Sequence, residues 1–174
     1  MKPTSPDRAM TYNILFLCTG NSARSVMSEA LVAILGNGRF TGYSAGSKPT
    51  GAVNPFAIEQ IAAFDPAYPT QHLRSKSWDE FAQPDAPRMD FIITVCDNAA
   101  GEACPFWPGR PATAHWGYDD PAAVAGPDDA QRAAFAAVFA QIRRRIEALV
   151  ALPLAAMDAQ AQRRALDDIG AMPV

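Results

Sequence analysis

The sequence has few of the features that mark extracellular, membrane-bound or nucleic-acid-binding proteins. It contains only three cysteines, an odd number, so reduced thiols explain them better than a disulfide framework. It has no apolar run of roughly 18 residues, and its first residues carry no apolar run of signal-peptide length. The net charge is −3, and the basic residues are dispersed apart from the run at 143–145. We therefore expect a cytoplasmic protein with neither nucleic-acid nor membrane partners.

The chain has the length and apolar content of one ordinary domain. Its 174 residues, 49% of them apolar, are enough for one domain with a sizeable core and too few for two domains of ordinary size. We expect residues 1–10 to be flexible, residues 11–152 to form a single α/β domain, and residues 153–174 to be a C-terminal extension with a short helix. Pro153 marks the last boundary, because proline ends the long amphipathic helix predicted before it.

Short apolar runs alternate with helical periodicity along the chain. Strands are predicted at 13–17, 40–47, 90–96 and 113–116, and helices at 25–35, 54–64, 78–81 and 128–152. This alternation predicts a three-layer α/β/α fold, in which helices flank a four-stranded parallel sheet. Ligands of such sheets bind beyond the carboxyl ends of the strands.

The segment "ILFLCTGNSARS", residues 14–25, joins the first predicted strand to the first predicted helix. Gly20 and Asn21 let the backbone curl, so that successive amides can converge on one anion at the amino end of the helix. The guanidinium of Arg24 can grip two oxygens of that anion, and the same field stabilises a thiolate at Cys18. The pattern C-x₅-R thus predicts a nucleophile aimed at a bound oxyanion. The predicted oxyanion loop is Thr19, Gly20, Asn21, Ser22, Ala23, Arg24 and Ser25.

"FLCTGNSARS" resembles the phosphate-binding loop of the low-molecular-weight protein tyrosine phosphatase superfamily, and more closely its arsenate reductase branch. Later blocks are similar to segments that the branch carries in the same order: "SAGS" at 44–47, "RSKSWDEF" at 74–81, "DFIITVCD" at 90–97 and "HWGYDDPA" at 115–122. The resemblance covers most of residues 13–150. It implies the low-molecular-weight phosphotyrosine phosphatase fold and makes residues 11–152 the catalytic domain.

The resemblance also implies the residue that protonates the leaving oxygen. In the superfamily this acid precedes a proline, which indicates Asp120, before Pro121, with Asp119 as the alternative. Taken alone, Asp-Asp-Pro is typical of a surface turn. The hydroxyl of Ser25 resembles the one that hydrogen-bonds the thiolate in the superfamily.

The remaining cysteines distinguish two reactions. In the thioredoxin-coupled reductases that the chain resembles, the thiol at the position of Cys96 attacks the arseno-cysteine, and the thiol at Cys104 then attacks the first. The resemblance thus implies a relay from Cys18 through Cys96 to Cys104, with no tightly bound cofactor. Otherwise, Cys96 would be a buried strand-end thiol and Cys104 an incidental surface cysteine.

Two departures from those reductases leave the external reductant open. Seven residues separate Cys96 from Cys104, one more than in the best-known examples, and Ala23 stands where those often carry a cysteine. The expected thiol partner is therefore thioredoxin, glutaredoxin with glutathione, or another thiol carrier, beside an arsenate or phosphate oxyanion as the substrate.

Two other functions remain open at this point. A phosphatase would hydrolyse phosphomonoesters through a phosphocysteine at Cys18, with Arg24 and Asp120, and Tyr118 partly matches a tyrosine that stacks on the substrate ring in that family. A non-catalytic oxyanion-binding module is disfavoured, because a binder has no use for a thiol in its anion site. Trp116 and the two additional cysteines favour the reductase.

Metal sites receive little support from the sequence. No C-x₂-C pair exists, which argues against zinc. The resemblance implies a weak potassium site at Asn21, Ser44 and Asp79. His115 is expected to be a hydrogen-bonded structural imidazole rather than a catalytic one.

Overall fold

The computed structural model describes residues 11–101 and 107–174, so that Cys104 lies outside the described residues. Four parallel strands form one sheet in the order β2-β1-β3-β4. The strands are β1 (Tyr12–Cys18), β2 (Phe40–Gly46), β3 (Phe91–Thr94) and β4 (Ala112–His115). The α-helices within these ranges are α1 (Arg24–Leu35), α2 (Pro55–Phe64), α3 (Asp97–Gly101), α4 (Asp128–Val150) and α5 (Ala159–Gly170). The predicted α/β fold around a four-stranded parallel sheet is confirmed.

Strand β1 lies inside the sheet and is buried on both faces, as its unbroken apolar sequence predicts. Ile14 and Phe16 face the large core cluster that also contains residues of α1, α2, α4 and α5. Leu15 and Leu17 face a smaller cluster, which is closed by the 3₁₀ turn Trp78–Phe81 and by Trp107. The central strand is therefore held from both sides, and its last residue, Cys18, is fixed in position.

The residues that the sequence indicates as helix starts and ends lie at or near the ends of the helices. The side chain of Asn54 caps α2, because its Oδ1 accepts a hydrogen bond from Phe56 N at 2.9 Å, and Pro55 is the first helical residue. Helix α1 begins at Arg24, one residue before the predicted start. Helix α4 spans 23 residues and ends at Val150, shortly before Pro153.

The structure differs from the prediction after β3. The segment from Asp97 was expected to be a loop, but Asp97–Gly101 form a short helix, and the sheet strand ends at Thr94. Val95 continues the pairing with a hydrogen bond from its N to Leu17 O at 2.9 Å. The chain therefore turns away from the sheet at Cys96.

The C-terminal extension packs onto the sheet. Asp158 caps α5, where its Oδ1 accepts from Ala161 N at 2.7 Å, and α5 buries Leu166 and Ile169 in the large cluster. Among residues 11–101 and 107–174, none of the helices combines the length and hydropathy that a membrane-spanning segment needs.

Candidate active site

Residues 19–23 form the loop between β1, which ends at Cys18, and α1, which begins at Arg24. Asn21 has a φ of 47°, in the left-handed region that asparagine tolerates, as its place in the loop predicts. The backbone N of Asn21 thereby donates to the Sγ of Cys18 at 3.2 Å. The loop thus curls back onto its own cysteine, and its amides lie at the amino end of α1.

A buried network of hydrogen bonds holds the sulfur of Cys18. The Sγ of Cys18 lies 3.0 Å from the Oγ of Ser25, and the Nδ2 of Asn21 donates to the same Oγ at 2.8 Å. Because the amide NH₂ can only donate, Ser25 accepts from Asn21, and its own hydrogen is available to the sulfur. Hydrogen bonds from Asn21 N and with Ser25 Oγ therefore converge on the sulfur of Cys18.

The segment 74–77 supports this loop from the outside. The Oδ1 of Asn21 accepts from Lys76 N at 2.9 Å, which fixes the orientation of the amide that reaches Ser25. The Oγ of Ser75 donates to Gly20 O at 3.0 Å. The loop of Cys18 is thus supported by residues 75 and 76, which no local signal in the sequence indicates.

A buried ion pair lies at that segment. The Nζ of Lys76 is 3.9 Å from the Oε1 of Glu29 and donates to Arg74 O at 2.9 Å, while Ser44 Oγ donates to the same Oε1 at 3.3 Å. Burial raises the pKa of Glu29 and the Lys76 charge opposes this rise; burial likewise lowers the pKa of Lys76 and Glu29 opposes it. The charged form of each of these two side chains is therefore stabilised by the charge of the other.

This ion pair bears on the potassium site that the resemblance implied. Asn21 and Ser44 are both fully buried, but Asp79 is exposed. The oxygen of Asn21 is used by Lys76 N, and the Ser44 hydroxyl is directed at Glu29, beside which the ammonium of Lys76 already lies. These residues do not fit a potassium ion, because a fixed positive charge repels it and Asp79 is not buried with the other two.

Replacing Lys76 with methionine is expected to lower the free energy of unfolding by about 3 kcal/mol, because the carboxylate of Glu29 then stays buried without its partner. Urea denaturation at pH 7 measures this loss. The matched control is Lys48→Met, at an exposed lysine, with an expected change below about 0.5 kcal/mol. Equal effects of the two substitutions would contradict a structural role for the pair.

Arg24 lies across the loop from the acid predicted by the resemblance. Its Nη1 donates to Tyr118 O at 3.0 Å, and its Nη2 is 3.8 Å from the Oδ2 of Asp120. The Oδ1 of Asp120 accepts from Ala122 N at 3.0 Å and so caps the 3₁₀ turn Pro121–Ala123. Asp120 is therefore both the turn residue that its sequence suggests and a carboxylate at the mouth of the site.

Two cavities meet at Arg24 and Asp120. One, of about 300 Å³, is lined by Cys18, Thr19, Gly20, Ser22, Ala23, Arg24, Thr50, Asp120 and Ala122. The other, of about 230 Å³, is lined by Arg24, Cys96, Asp97, Tyr118, Asp119 and Asp120. Asp120 shares the first cavity with Cys18, whereas Asp119 lines only the second. Of the two acids that the resemblance indicates, Asp120 is thus the one that lines the cavity of Cys18.

Cys96 lies at the carboxyl end of the sheet, near the loop of Cys18. Its side chain is buried and free of a disulfide, as is that of Cys18. The Sγ of Cys96 is 3.7 Å from Thr19 Oγ1, and Ala99 N donates to it at 3.4 Å. Thr19 thus connects the second thiol directly to the oxyanion loop.

His115 has the structural environment that its sequence position predicted. Its Nδ1 is 2.7 Å from Thr94 Oγ1, and its Nε2 is 2.9 Å from the Oδ1 of Asp97. Both ring nitrogens are hydrogen-bonded, so the ring joins the first residue of α3 to β3 and β4.

Comparisons with known proteins place this chain in a family. The family model described as low molecular weight phosphotyrosine protein phosphatase matches residues 13–163. An arsenate reductase of Halalkalibacterium halodurans is 34% identical over 134 residues, which are 77% of this chain and 91% of that protein. An arsenate reductase of Staphylococcus aureus strain N315 is 38% identical over 110 residues, or 63% of this chain and 78% of that protein.

A solved structure is similar over most of the fold. The crystal structure of arsenate reductase from Archaeoglobus fulgidus superposes with a TM-score of 0.59 at 26% identity, covering 80% of this chain and 99% of that one. The family match, which begins at residue 13, includes the strand, loop and helix that carry Cys18 and Arg24. The chain is therefore an enzyme that belongs to the low molecular weight phosphotyrosine protein phosphatase family.

Proposed function

We propose that this enzyme reduces arsenate to arsenite with electrons from its own thiols. The observation that carries the proposal is the pair of buried, free thiols at one sheet edge: Cys18 inside the oxyanion loop, and Cys96 joined to that loop through Thr19 at 3.7 Å. A phosphatase has no use for the second thiol. The relatives named arsenate reductase support the same reaction.

The first step uses the oxyanion loop. Arsenate binds to the loop amides and Arg24, and the thiolate of Cys18 attacks arsenic. One arsenate oxygen leaves as water after protonation by Asp120, whose carboxyl lies at the mouth of the same cavity. The product is a thioester of As(V) on Cys18, and no electrons have yet moved.

The second step transfers two electrons. The thiolate of Cys96 attacks the Sγ of Cys18, the sulfur–arsenic bond breaks with its electron pair on arsenic, and As(III) leaves as arsenite. Cys104 then attacks Cys96 and releases Cys18 as a thiolate, which leaves a Cys96–Cys104 disulfide. In sum, arsenate and two thiols give arsenite, water and one disulfide.

An external thiol reductant must reduce the Cys96–Cys104 disulfide. We assign this role to thioredoxin or to glutaredoxin with glutathione, in the cytoplasm, where such carriers hold thiols reduced. The enzyme itself needs no resident cofactor for this chemistry, because each electron comes from a thiol.

The environment of Tyr118 argues against a tyrosine phosphatase. The side chain is buried, and its ring lies against the guanidinium of Arg145, 4.9 Å from ring centroid to Cζ. A buried ring cannot stack on the aromatic group of an incoming phosphotyrosine. Hydrolysis of phosphate esters should therefore be a weak side reaction of the same loop.

Two assays on the purified enzyme test the proposed function. Arsenate should stimulate NADPH oxidation in the presence of either the thioredoxin or the glutaredoxin system. Hydrolysis of p-nitrophenyl phosphate should have a kcat/KM at least about 100-fold lower than that for arsenate. If kcat/KM were higher for p-nitrophenyl phosphate than for arsenate, and arsenate stimulated no NADPH oxidation in either system, the enzyme would be a phosphatase.

A further inference from the structure

A buried arginine connects the C-terminal helix to the loop that carries the acid. Arg145 of α4 is 5% exposed, although its neighbours Arg143 and Arg144 are exposed. Its Nη1 donates to Gly117 O at 3.1 Å, and its Nη2 donates to Met172 O at 2.9 Å and to Gly170 O at 3.2 Å. One guanidinium thus bonds both the start of the acid loop and the end of α5.

Tyr118 connects Arg145 to Arg24, the arginine of the oxyanion loop. The guanidinium of Arg145 lies against the ring of Tyr118. The backbone oxygen of Tyr118 accepts the hydrogen bond from Arg24 Nη1. Any shift of Gly117 or Tyr118 would therefore move an acceptor that orients Arg24, and it would also move Asp120 two residues further on.

Helix α5 holds this loop at a second point. Trp116 Nε1 donates to Leu166 O at 2.9 Å. Gly170 packs so closely that a Cβ there would lie 2.5 Å from His115 O and 2.8 Å from Trp116 Cδ1. The end of β4 and the start of the acid loop are thus fixed by a helix that lies mostly beyond residue 163, where the family match ends.

The burial of Arg145 requires an explanation, because a charge in the interior is costly unless its hydrogen bonds are satisfied. Among the ion pairs of the described residues, Arg145 has no carboxylate partner; three backbone carbonyls accept hydrogens from its Nη1 and Nη2, and its buried Nε has no hydrogen-bond partner. An apolar residue would fill the same helix face between Ile142 and Leu149. What only a guanidinium provides is a planar fork that bonds two separate segments at once.

We propose that Arg145 is a positioning residue for Arg24 and Asp120, and that α5 is therefore part of the active-site scaffold of this enzyme. This proposal depends on one part of the proposed function, namely that the loop binds a tetrahedral oxyanion. Its primary test is the affinity for inorganic phosphate, which does not depend on reduction. Failure of the positioning role and failure of the reductase function are thus distinguishable.

The experiment compares Arg145→Met with its exposed neighbour Arg144→Met. For Arg145→Met we expect the Kd of inorganic phosphate, measured by calorimetry, to rise about 10-fold because Arg24 is no longer oriented, and kcat for arsenate to fall at least about 10-fold because Asp120 moves. Arg145→Lys should give intermediate values, since it keeps the charge without the fork. Arg144→Met should stay within about twofold of the unmodified enzyme.

Two further variants distinguish a positioning role of Arg145 from a contribution to stability alone. Ile61→Ala, on the buried face of α2, should lower stability and leave the phosphate Kd unchanged. Gly170→Ala should displace α5 from His115 and weaken phosphate binding in the same direction as Arg145→Met, and it carries the test if Arg145→Met does not fold. The proposal is overturned if the folded variants of Arg145 and Gly170 bind phosphate and turn over arsenate as well as Ile61→Ala does.

Discussion

Replacing Cys18 with serine should abolish both arsenate reduction and phosphate-ester hydrolysis, with a loss of at least about 10⁴-fold in kcat/KM. The serine hydroxyl fits the space of the thiol, and the donors from Asn21 N and Ser25 Oγ remain in place. They cannot ionise an alcohol to a useful extent at neutral pH, so the serine is a far weaker nucleophile than the cysteine. Both reactions should stop because both begin with the same sulfur.

The substituted enzyme should still bind its anion. The loop amides and Arg24 are unchanged, so the Kd of inorganic phosphate should stay within about threefold of the value for the unmodified enzyme. Steady-state assays of both reactions and calorimetry with phosphate measure these outcomes. Residual activity above about 1% would show that Cys18 is not the nucleophile.

Replacing Cys96 with serine should separate the two reactions. Turnover of arsenate should fall below about 1%, because no thiol then attacks the Sγ of Cys18 and arsenic keeps its oxidation state. Hydrolysis of p-nitrophenyl phosphate should change by less than about threefold, because water, not Cys96, resolves a phosphocysteine. Thr19 Oγ1 and Ala99 N can bond a serine hydroxyl in place of the sulfur, so the fold should be retained.

The matched control is Cys104→Ser, at the third cysteine. It should release one arsenite per enzyme and then stop, with a disulfide between Cys18 and Cys96 that mass spectrometry can map. If arsenate turnover continued in Cys96→Ser, the second thiol of the relay would have to be another group.

The site was predictable from the sequence where its signals are local. Cys18 ends a buried strand and Arg24 begins a helix, and Asn21 between them supplies the left-handed turn. Such signals depend on near neighbours in the chain. They sufficed to predict a tight loop between Cys18 and Arg24 and the cap of α2 at Asn54, whereas the contact of Ser25 with Cys18 was implied by the family resemblance.

The supporting layer was not predicted, because it depends on contacts between distant segments. Lys76 reaches Asn21 from 55 residues away, and Arg145 bonds Gly117 and Met172 over 28 and 27 residues. A weak signal did exist for Arg145. It occupies the helical position three residues after Ile142 and four before Leu149, on the apolar face of α4, where a surface arginine would not be expected.

The most direct test of the thiol mechanism is a count of free thiols after one turnover with arsenate and no external reductant. The mechanism predicts one arsenite released and two thiols lost per chain, with the disulfide mapped to Cys96 and Cys104. Arsenite formed without loss of thiols, or a disulfide that leaves Cys96 free, would contradict it.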